Sequence, residues 1–102
     1  MDQKSALTIA KNYLNYLKQH NIDVRNAYLF GSYATGTSHA DSDIDLAIIM
    51  HELSNNFITQ IELMKLGRHI DSRIEPHPFD ESDFTPSNPF ANEVLKNGVQ
   101  VL

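Results

Sequence analysis

The sequence contains no cysteine and no tryptophan, and only four glycines and four prolines occur among its 102 residues. The absence of cysteine excludes a disulfide framework and any zinc site with cysteine ligands. Its apolar runs are short of the about 20 residues that a membrane-spanning helix needs, and the polar start Met1–Lys4 lacks the apolar segment of a signal peptide. We therefore expect a cytoplasmic protein that does not interact with membranes.

Positive charge is also scarce. The chain has 8 Lys and Arg against 13 Asp and Glu, which gives a net charge of −5. This balance argues against a protein that binds nucleic acid through its phosphate backbone. It does not exclude a nucleotide substrate, because a bound metal ion can bridge carboxylates to phosphates. The length predicts a single domain over residues 1–102.

Hydrophobic periodicity predicts an α/β (α+β) fold. A first helix follows a cap at Asp2, and short apolar strands cover Ala27–Phe30 and Ile44–Ile49. The loop between these strands, from Gly31 to Ser42, is rich in Gly, Ser, Thr and Asp. The helical spacing in the first helix is carried by Ala6, Leu7, Ala10, Tyr13, Leu14 and Leu17.

The second half of the chain continues the alternation of helices and strands. A helix capped by Ser54 and closed by Gly67 is expected to present one apolar side, formed by Phe57, Ile58, Ile61 and Met64. A third strand is predicted from His69 to about Glu75, because Pro76 and Pro78 cannot donate to a ladder. Asp80–Phe84 is predicted as one helical turn, and Asn88-Pro89 opens a last helix that stops at Gly98. The result is a small mixed sheet flanked by helices.

Two carboxylates are the first candidates for chemistry. Asp43 and Asp45 are two residues apart at the start of an apolar strand, so both side chains point to the same face. Paired carboxylates repel each other unless a cation lies between them. Mg²⁺ typically takes one or two carboxylates together with substrate phosphates. The pair therefore predicts a magnesium–nucleotide site, although an isolated Asp-x-Asp is more often a solvated strand edge.

The loop before this pair suits a phosphate group. Gly31 follows a strand and lets the backbone approach a ligand closely. If Ser32 begins a helix, its hydroxyl and the free N–H groups there form an anion site. A lone Gly-Ser after a strand is usually only a turn. It is the combination with Asp43 and Asp45, with Gly36 between them, that favours a site for a nucleoside triphosphate with its metal.

The segment from Gly31 to Leu46 resembles the signature of the DNA polymerase β-like nucleotidyltransferases. It has the form Gly-Ser-x-x-x-Gly-x-x-x-x-x-Ser-Asp-Ile-Asp-Leu. That form is similar to the minimal nucleotidyltransferase branch, which contains antitoxins found beside HEPN-domain toxins. The resemblance implies the polymerase β-like nucleotidyltransferase fold. It also implies that Gly31 and Ser32 contact the triphosphate of ATP, and that Asp43 and Asp45 hold two Mg²⁺ ions.

The resemblance further implies a third catalytic and metal-binding carboxylate on the next strand. Asp71, Arg73 and Glu75 share one face of the predicted strand by alternation. Glu75 matches the family's spacing to the following turn better than Asp71, so Glu75 is favoured. The alternative in which one of the two carboxylates pairs with Arg73, and neither touches metal, stays open.

The remaining polar residues receive weaker predictions. The five histidines do not form a metal set. His20 and His51 are expected at the surface, and His39 in a solvated loop, whereas His77 is a candidate for lining the nucleotide pocket. Asp41 is expected to be a loop residue and Tyr33 to pack. These expectations leave Asp43, Asp45 and Glu75 as the predicted catalytic and metal set, with Gly31 and Ser32 binding ATP.

The resemblance implies an AMP transferase that acts as the antitoxin of a type VII-like toxin–antitoxin pair. The chain is too short to add an acceptor-binding domain, so we expect a hetero-oligomer in which a HEPN toxin supplies the acceptor, a tyrosine hydroxyl. Two alternatives remain open. One is a catalytically weak antitoxin that neutralises its toxin by binding, and the other is a nucleotidyltransferase that acts on a small molecule. A polymerase is disfavoured, because the chain is acidic and has no template-binding domain.

Overall fold

The computed structural model describes residues 1–102, which form four helices and four strands. None of the helices is both long and apolar enough to cross a membrane. In chain order the elements are α1 (Gln3–Gln19), β1 (Asn26–Phe30), α2 (Ser32–Thr35), β2 (Ile44–Met50), α3 (Asn56–Gly67), β3 (Ile74–Asp80), α4 (Pro89–Asn97) and β4 (Val99–Gln100).

The strands form one mixed sheet in the order β3-β2-β1-β4. Strand β1 runs antiparallel to both β2 and β4, whereas β2 and β3 are parallel. Because side chains alternate along a strand, β2 presents Leu46 and Ile48 to one face and Asp45 and Ala47 to the other. The predicted mixed sheet flanked by helices is therefore confirmed.

The first face of the sheet carries the larger core, against α1 and α3. The Tyr13 hydroxyl donates a hydrogen bond of 2.8 Å to the Leu63 carbonyl and ties these two helices together. Burial raises the pKa of Tyr13, so this phenol stays a neutral donor. The buried members of this cluster are Ala6, Ala10, Tyr13, Leu14, Leu17, Ala27, Leu29, Tyr33, Ile44, Leu46, Ile48, Leu63 and Ile74.

The second face has a thinner cover, supplied by α4. Its buried cluster contains only Ala47, Ile49 and Val94, with partly buried aromatic side chains around it. Aromatic rings rather than a full helical layer therefore protect this face. Asp45 and Glu75 lie on it beside Phe30, and both carboxylates are partly accessible.

Three helices begin at side-chain caps. Asp2 accepts from the Ser5 N–H, as predicted, and Asn88 accepts from the N–H groups of Phe90 and Ala91. The predicted cap of α3 was Ser54, but Asn55 fills this position and accepts from the Ile58 N–H. Each cap satisfies helix donors that would otherwise have no partner.

The predicted apolar side of α3 does not face the core, because Phe57, Ile58 and Ile61 are exposed. The helix instead buries Leu63 and Gly67. A Cβ at Gly67 would lie 3.3 Å from Ile74 Cγ2 and 3.4 Å from Tyr13 Cε1, so the glycine allows close packing on this side. Helix α3 thus carries apolar residues on two sides, and the side with Leu63 and Gly67 is the buried one.

The predicted third strand, from His69 to about Glu75, is placed too early. Strand β3 begins at Ile74 and contains both Pro76 and Pro78. The Arg73 carbonyl accepts from Ile44 and the Glu81 N–H donates to Met50, so the odd-numbered residues of β3 bond to β2. The even-numbered prolines therefore face the open side of an edge strand, where a missing N–H breaks no ladder bond.

Two further differences concern the end of the chain. The predicted helical turn over Asp80–Phe84 is a hydrogen-bonded turn, in which Asp80 ends β3 and accepts from the N–H groups of Leu53 and Ser82. The last helix stops before Gly98, as predicted. It is followed by β4, an element that the sequence analysis did not anticipate and that pairs with Tyr28 and Leu29.

Candidate active site

Asp45 and Glu75 lie side by side on the second face of the sheet. They are register partners across the parallel pair β2–β3. Their carboxylate oxygens belong to a group of ligand atoms that all lie within 4.8 Å of one another. The register of the two strands therefore keeps these side chains adjacent on one face, because a slip by one residue would turn one of them to the other face.

Gly31 forms the wall of the site beside Asp45. Its backbone has φ 74° and ψ −153°, a conformation that side-chain-bearing residues rarely adopt. A Cβ at this position would collide with Asp45 Oδ2. The glycine thus serves two needs at once, the turn out of β1 and the space for the carboxylate.

Ser32 begins α2, as the sequence suggested. The Gly31 carbonyl accepts from the N–H groups of Ala34 and Thr35, which closes this single turn. Tyr33 is buried in the main core, so its predicted packing role is confirmed. Ser32 and Gly31 are both partly accessible and follow directly from β1, whose last residue, Phe30, is the register partner of Asp45. The Gly-Ser turn and the acidic residues therefore meet at one end of the sheet.

Asp43 completes the acidic group from just before β2. Its carboxyl forms a hydrogen bond with Glu75 that raises the pKa of Glu75, and burial and the negative charge of Asp45 raise it further. Three carboxyl groups, those of Asp43, Asp45 and Glu75, are thus crowded together. Crowding of this kind favours either a shared proton or a bound cation.

His77 lies next to Glu75 on the same face of β3. Its Nε2 is 3.5 Å from Asp45 Oδ1 and 4.0 Å from Glu75 Oε1. The ring packs edge-on against Phe30 at 5.1 Å and approaches Phe90 at 6.0 Å between centroids. From the sequence, His77 was a candidate only for lining the nucleotide pocket. Alternation from Glu75 places it with the acids, but the predicted strand ended at about Glu75 and so did not include His77.

Asp71 lies outside the acidic group, in the turn before β3 and not on the strand. Arg73 holds it with two side-chain hydrogen bonds, 3.0 Å from Nε to Oδ1 and 2.8 Å from Nη2 to Oδ2. This pairing lowers the pKa of Asp71. The predicted common face of Asp71, Arg73 and Glu75 is therefore wrong, because only Glu75 belongs to β3. The alternative in which one carboxylate pairs with Arg73 applies to Asp71.

The other polar residues of the loop and the remaining histidines are placed as follows. The Ser42 hydroxyl accepts a hydrogen bond of 2.8 Å from the His39 N–H and fixes the approach to Asp43. Asp41 and His39 are exposed in the loop, as predicted. His20 and His51 are also exposed, and His51 pairs with Glu81 and Glu52 away from the acidic group.

A metal ion has suitable ligands here. Asp45, Glu75 and His77 each offer one ligand atom, and all three atoms lie within 4.8 Å of one another. Asp43 adds a further carboxylate through its contact with Glu75. Partly exposed oxygen ligands beside an open turn can hold a hard cation together with a ligand that reaches in from solvent.

Comparison with known proteins identifies relatives of this chain. The family model described as polymerase beta, nucleotidyltransferase, matches residues 11–102. The protein adenylyltransferase MntA of Shewanella oneidensis is 40% identical over 48 residues, which are 47% of this chain and 34% of that protein. The match therefore spans about a third of the length of this curated relative.

Solved structures share the fold. A chain from a crystal structure of a toxin–antitoxin with AMP-PNP superposes with a TM-score of 0.67 at 32% identity, covering 90% of this chain and 72% of that chain. A chain from the complex of a tri-AMPylated Shewanella oneidensis HEPN toxin with its MNT antitoxin gives a TM-score of 0.62 at 24% identity, covering 98% and 71%. At 24% identity, this second similarity shows that the fold is shared and carries no conclusion about function.

Proposed function

The chain belongs to the polymerase beta nucleotidyltransferase family, and we propose that it transfers AMP from ATP to a hydroxyl group of a partner protein. In this proposal residues 1–102 act as one minimal nucleotidyltransferase domain. Gly31 and Ser32 bind the triphosphate, and Asp43, Asp45 and Glu75 form the catalytic group. The partner is a HEPN-domain toxin, and the chain is its antitoxin.

One observation carries the proposal. Asp45 and Glu75 are register partners on β2 and β3, and Gly31 packs against Asp45 where β1 ends. This arrangement puts a turn that can accept phosphates beside carboxylates that can hold a cation. Either feature alone is common in proteins, whereas their contact at one end of a sheet is what a triphosphate with its metal requires.

The relatives support the choice of reaction and partner. MntA carries the name of a protein adenylyltransferase, and the toxin–antitoxin structure at 32% identity contains AMP-PNP, an ATP analogue. Together these relatives favour ATP as the nucleotide and a toxin as the acceptor. The acceptor hydroxyl is proposed to belong to a tyrosine, as the family resemblance implies.

Asp43, Asp45 and Glu75 fit two Mg²⁺ ions. The crowding that raises the pKa of Glu75 is the observation that supports them, because a divalent cation would offset the repulsion among these carboxylates. When bound, such ions stabilise charge on the attacking and leaving oxygens of an in-line displacement. The chain's own task is then to hold the triphosphate at Gly31 and Ser32 and to position Glu75 beside the acceptor.

The transfer breaks one bond and forms another. The acceptor oxygen attacks the α-phosphorus of ATP, the bond between that phosphorus and the bridging oxygen to the β-phosphate breaks, and pyrophosphate leaves. The proton of the acceptor hydroxyl passes to the Glu75 carboxylate. Glu75 is proposed for this role because the family resemblance implies a third carboxylate on this strand that helps to activate the acceptor hydroxyl.

The proposed product explains neutralisation physically. A phosphodiester-linked AMP on a tyrosine adds negative charge and bulk to the toxin. A HEPN ribonuclease must bind RNA phosphates, and a negative charge in its active site would repel them. One molecule of antitoxin could thus inactivate many molecules of toxin, which neutralisation by occlusion alone cannot do.

The position of the label on ATP tests the reaction. The chain is incubated with Mg²⁺, its HEPN partner and ATP labelled on either the α- or the γ-phosphate, and the partner is separated by denaturing electrophoresis. AMP transfer predicts label on the partner from α-labelled ATP only. Label from γ-labelled ATP would instead indicate phosphoryl transfer and would overturn the proposed chemistry.

A further inference from the structure

A groove runs along the outer edge of β3. Its volume of about 310 Å³ lies at the lower end of the range of about 300–1,000 Å³ for small-ligand pockets, so it can admit a single aromatic side chain. The residues that line it come from three elements and include Phe57 and Gln60 of α3, His77, Pro78 and Phe79 of β3, and Phe90 of α4.

The inner end of the groove lies at the proposed active site. His77 belongs to its lining, and the Nε2 atom of His77 is 4.0 Å from Glu75 Oε1. Phe90 lies beside His77, with 6.0 Å between the two ring centroids. A side chain that enters along the groove therefore arrives next to the Glu75 carboxylate.

The outer end of the groove is continuous with exposed apolar surface on α3. Phe57, which lines the groove, is 72% exposed, and Ile58 and Ile61 are exposed as well. Residues three and four apart are neighbours on a helix, so these three side chains form one surface. Single exposed apolar side chains are normal in proteins, whereas a contiguous group of them marks an interaction site.

The edge of β3 cannot itself accept another strand at this surface. Pro76 and Pro78 lie on its open side and have no N–H to donate. The Pro76 carbonyl already accepts a hydrogen bond of 3.2 Å from the Gln60 amide. Strand addition relies on main-chain hydrogen bonds, so a protein that covers this surface must do so through side chains.

The order of the strands indicates which reactant arrives along the groove. Phe30, Asp45 and Glu75 are register partners in one row across β1, β2 and β3. Gly31 and Ser32, which are proposed to hold the triphosphate, follow Phe30 and so lie on the β1 side of this row. In an in-line displacement the attacking oxygen approaches opposite the leaving group. With pyrophosphate leaving on the β1 side, the acceptor approaches from the β3 side, where the groove lies.

We propose that the apolar surface of α3, formed by Phe57, Ile58 and Ile61, docks the partner protein, and that the partner's acceptor tyrosine reaches Glu75 through the groove. This inference rests on the proposed function and names the surface that the acceptor uses. Phenylalanine rings along the groove suit a tyrosine, because its ring packs among them while its hydroxyl points to the polar inner end. The partner must then present an exposed tyrosine beside apolar side chains.

The adenine ring of ATP is the competing occupant of the groove, because aromatic rings and the Gln60 amide also suit a nucleobase. In that case, truncating groove residues would weaken ATP binding and leave the affinity for the partner intact. Docking of the partner predicts the opposite pattern. Measuring both affinities in the same variant therefore separates the two occupants.

The test compares the wild type, Phe57→Ala/Ile61→Ala and Leu95→Ala. The double variant replaces exposed helical side chains by alanine, which favours the helix, so it should fold. Leu95 is the matched control, because it is also apolar, exposed and helical but does not line the groove. For the double variant we expect affinity for the HEPN partner to fall at least about tenfold, and KM for the partner to rise similarly with kcat unchanged. ATP affinity should change by less than about twofold, and Leu95→Ala should match the wild type in every respect.

Methyl NMR of the wild type gives a second readout. The Ile58 and Ile61 resonances should shift when the HEPN partner is added, whereas Ile22, which lines a separate cavity, should not respond. Unchanged partner affinity in the double variant, a loss of ATP affinity instead, an equal loss in Leu95→Ala, or Ile58 and Ile61 methyls indifferent to the partner would each overturn the proposal. Affinity and methyl shifts are measured without AMP transfer, so failure of this inference is distinguishable from failure of the proposed function.

Discussion

Asp45 and Glu75 are register partners on the only parallel strand pair of the sheet. Their side chains share the face covered by α4, and a Cβ at Gly31 would collide with the Asp45 carboxylate. The three residues come from β2, β3 and the turn after β1, so the site depends on the correct pairing of all three strands. The proposed site and function can therefore be tested at each of these residues separately.

The first prediction concerns nucleotide binding. In Asp43→Asn/Asp45→Asn, the carboxylates proposed to hold the metal of the ATP complex lose their charge. We expect Mg²⁺-dependent ATP affinity to fall at least about tenfold, as measured by calorimetry with and without Mg²⁺. Asp41→Asn is the control, because Asp41 is an exposed carboxylate of the same loop. Equal ATP binding by the double variant and the wild type would contradict the assignment of Asp43 and Asp45 as ligands of the metal in the ATP complex.

The second prediction separates backbone strain from crowding at Asp45. Gly31 and Gly36 both have positive φ, 74° and 78°. Alanine at Gly36, which is left-handed helical, should destabilise the fold by about 1 kcal/mol, and alanine at Gly31, whose ψ of −153° lies in a region adopted almost only by glycine, by about 1–3 kcal/mol. Only at Gly31 does the new Cβ meet Asp45, whereas nothing lies within 4 Å of a Cβ at Gly36. We therefore expect Gly31→Ala, but not Gly36→Ala, to lose ATP affinity under conditions where urea unfolding shows that the variant is still folded. Equal losses of ATP affinity in the two variants would show that the contact with Asp45 does not matter for ATP binding.

The third prediction is a pH dependence of stability. Hydrogen bonds from Arg73 lower the pKa of Asp71 in the folded chain. A lowered pKa means that the ionised carboxylate stabilises the fold above its unfolded pKa of about 3.9, and that this stabilisation is lost as the pH falls through the lower folded value. Asp71→Asn should therefore cost about 1 kcal/mol near neutral pH and almost nothing in strong acid.

Urea unfolding of both proteins across this pH range checks the third prediction. If the free energies of unfolding of the wild type and Asp71→Asn differ by the same amount at neutral pH and in strong acid, the prediction is contradicted. The AMP-transfer rate of this variant should stay close to that of the wild type, because Asp71 is held by Arg73 outside the acidic group.

The fourth prediction concerns association. The proposed acceptor belongs to a HEPN toxin, so co-expression of the two chains should give a stable hetero-complex on size-exclusion chromatography. Asp43→Asn/Asp45→Asn should still co-elute with the toxin, because these carboxylates serve the nucleotide and not the partner. Elution of the two wild-type proteins as separate species would count heavily against the antitoxin assignment.

Local sequence predicted the parts of the site that depend on short-range pattern. Gly31, Ser32, Asp43 and Asp45 lie within one signature, and the apolar strands on either side of it are close to their observed bounds. The alternation of β2 was enough to place Asp45 opposite the main core. These features follow from neighbours in the chain and need no knowledge of the fold.

Features that depend on tertiary position were missed. Prolines at 76 and 78 argued against a strand, yet β3 lies at the edge of the sheet, where their missing N–H groups are harmless. Because the strand was predicted to end at about Glu75, His77 was missed, although alternation from Glu75 places it on the acidic face. Likewise, α3 carries apolar residues on two sides, and the sequence alone does not show that the side with Leu63 and Gly67 packs against Tyr13 and Ile74.

Intact-mass spectrometry of the toxin after incubation with ATP and Mg²⁺ tests the central claim most directly. The account predicts an AMP adduct with the wild type and with Asp71→Asn. It predicts a transfer rate lower by about 10²–10⁴-fold with Glu75→Gln, whose ATP binding stays largely intact. Unchanged transfer by Glu75→Gln with loss in Asp71→Asn would make Asp71 the third carboxylate. The absence of an adduct from the wild type, with toxin still neutralised, would contradict catalysis and favour an antitoxin that acts by binding alone.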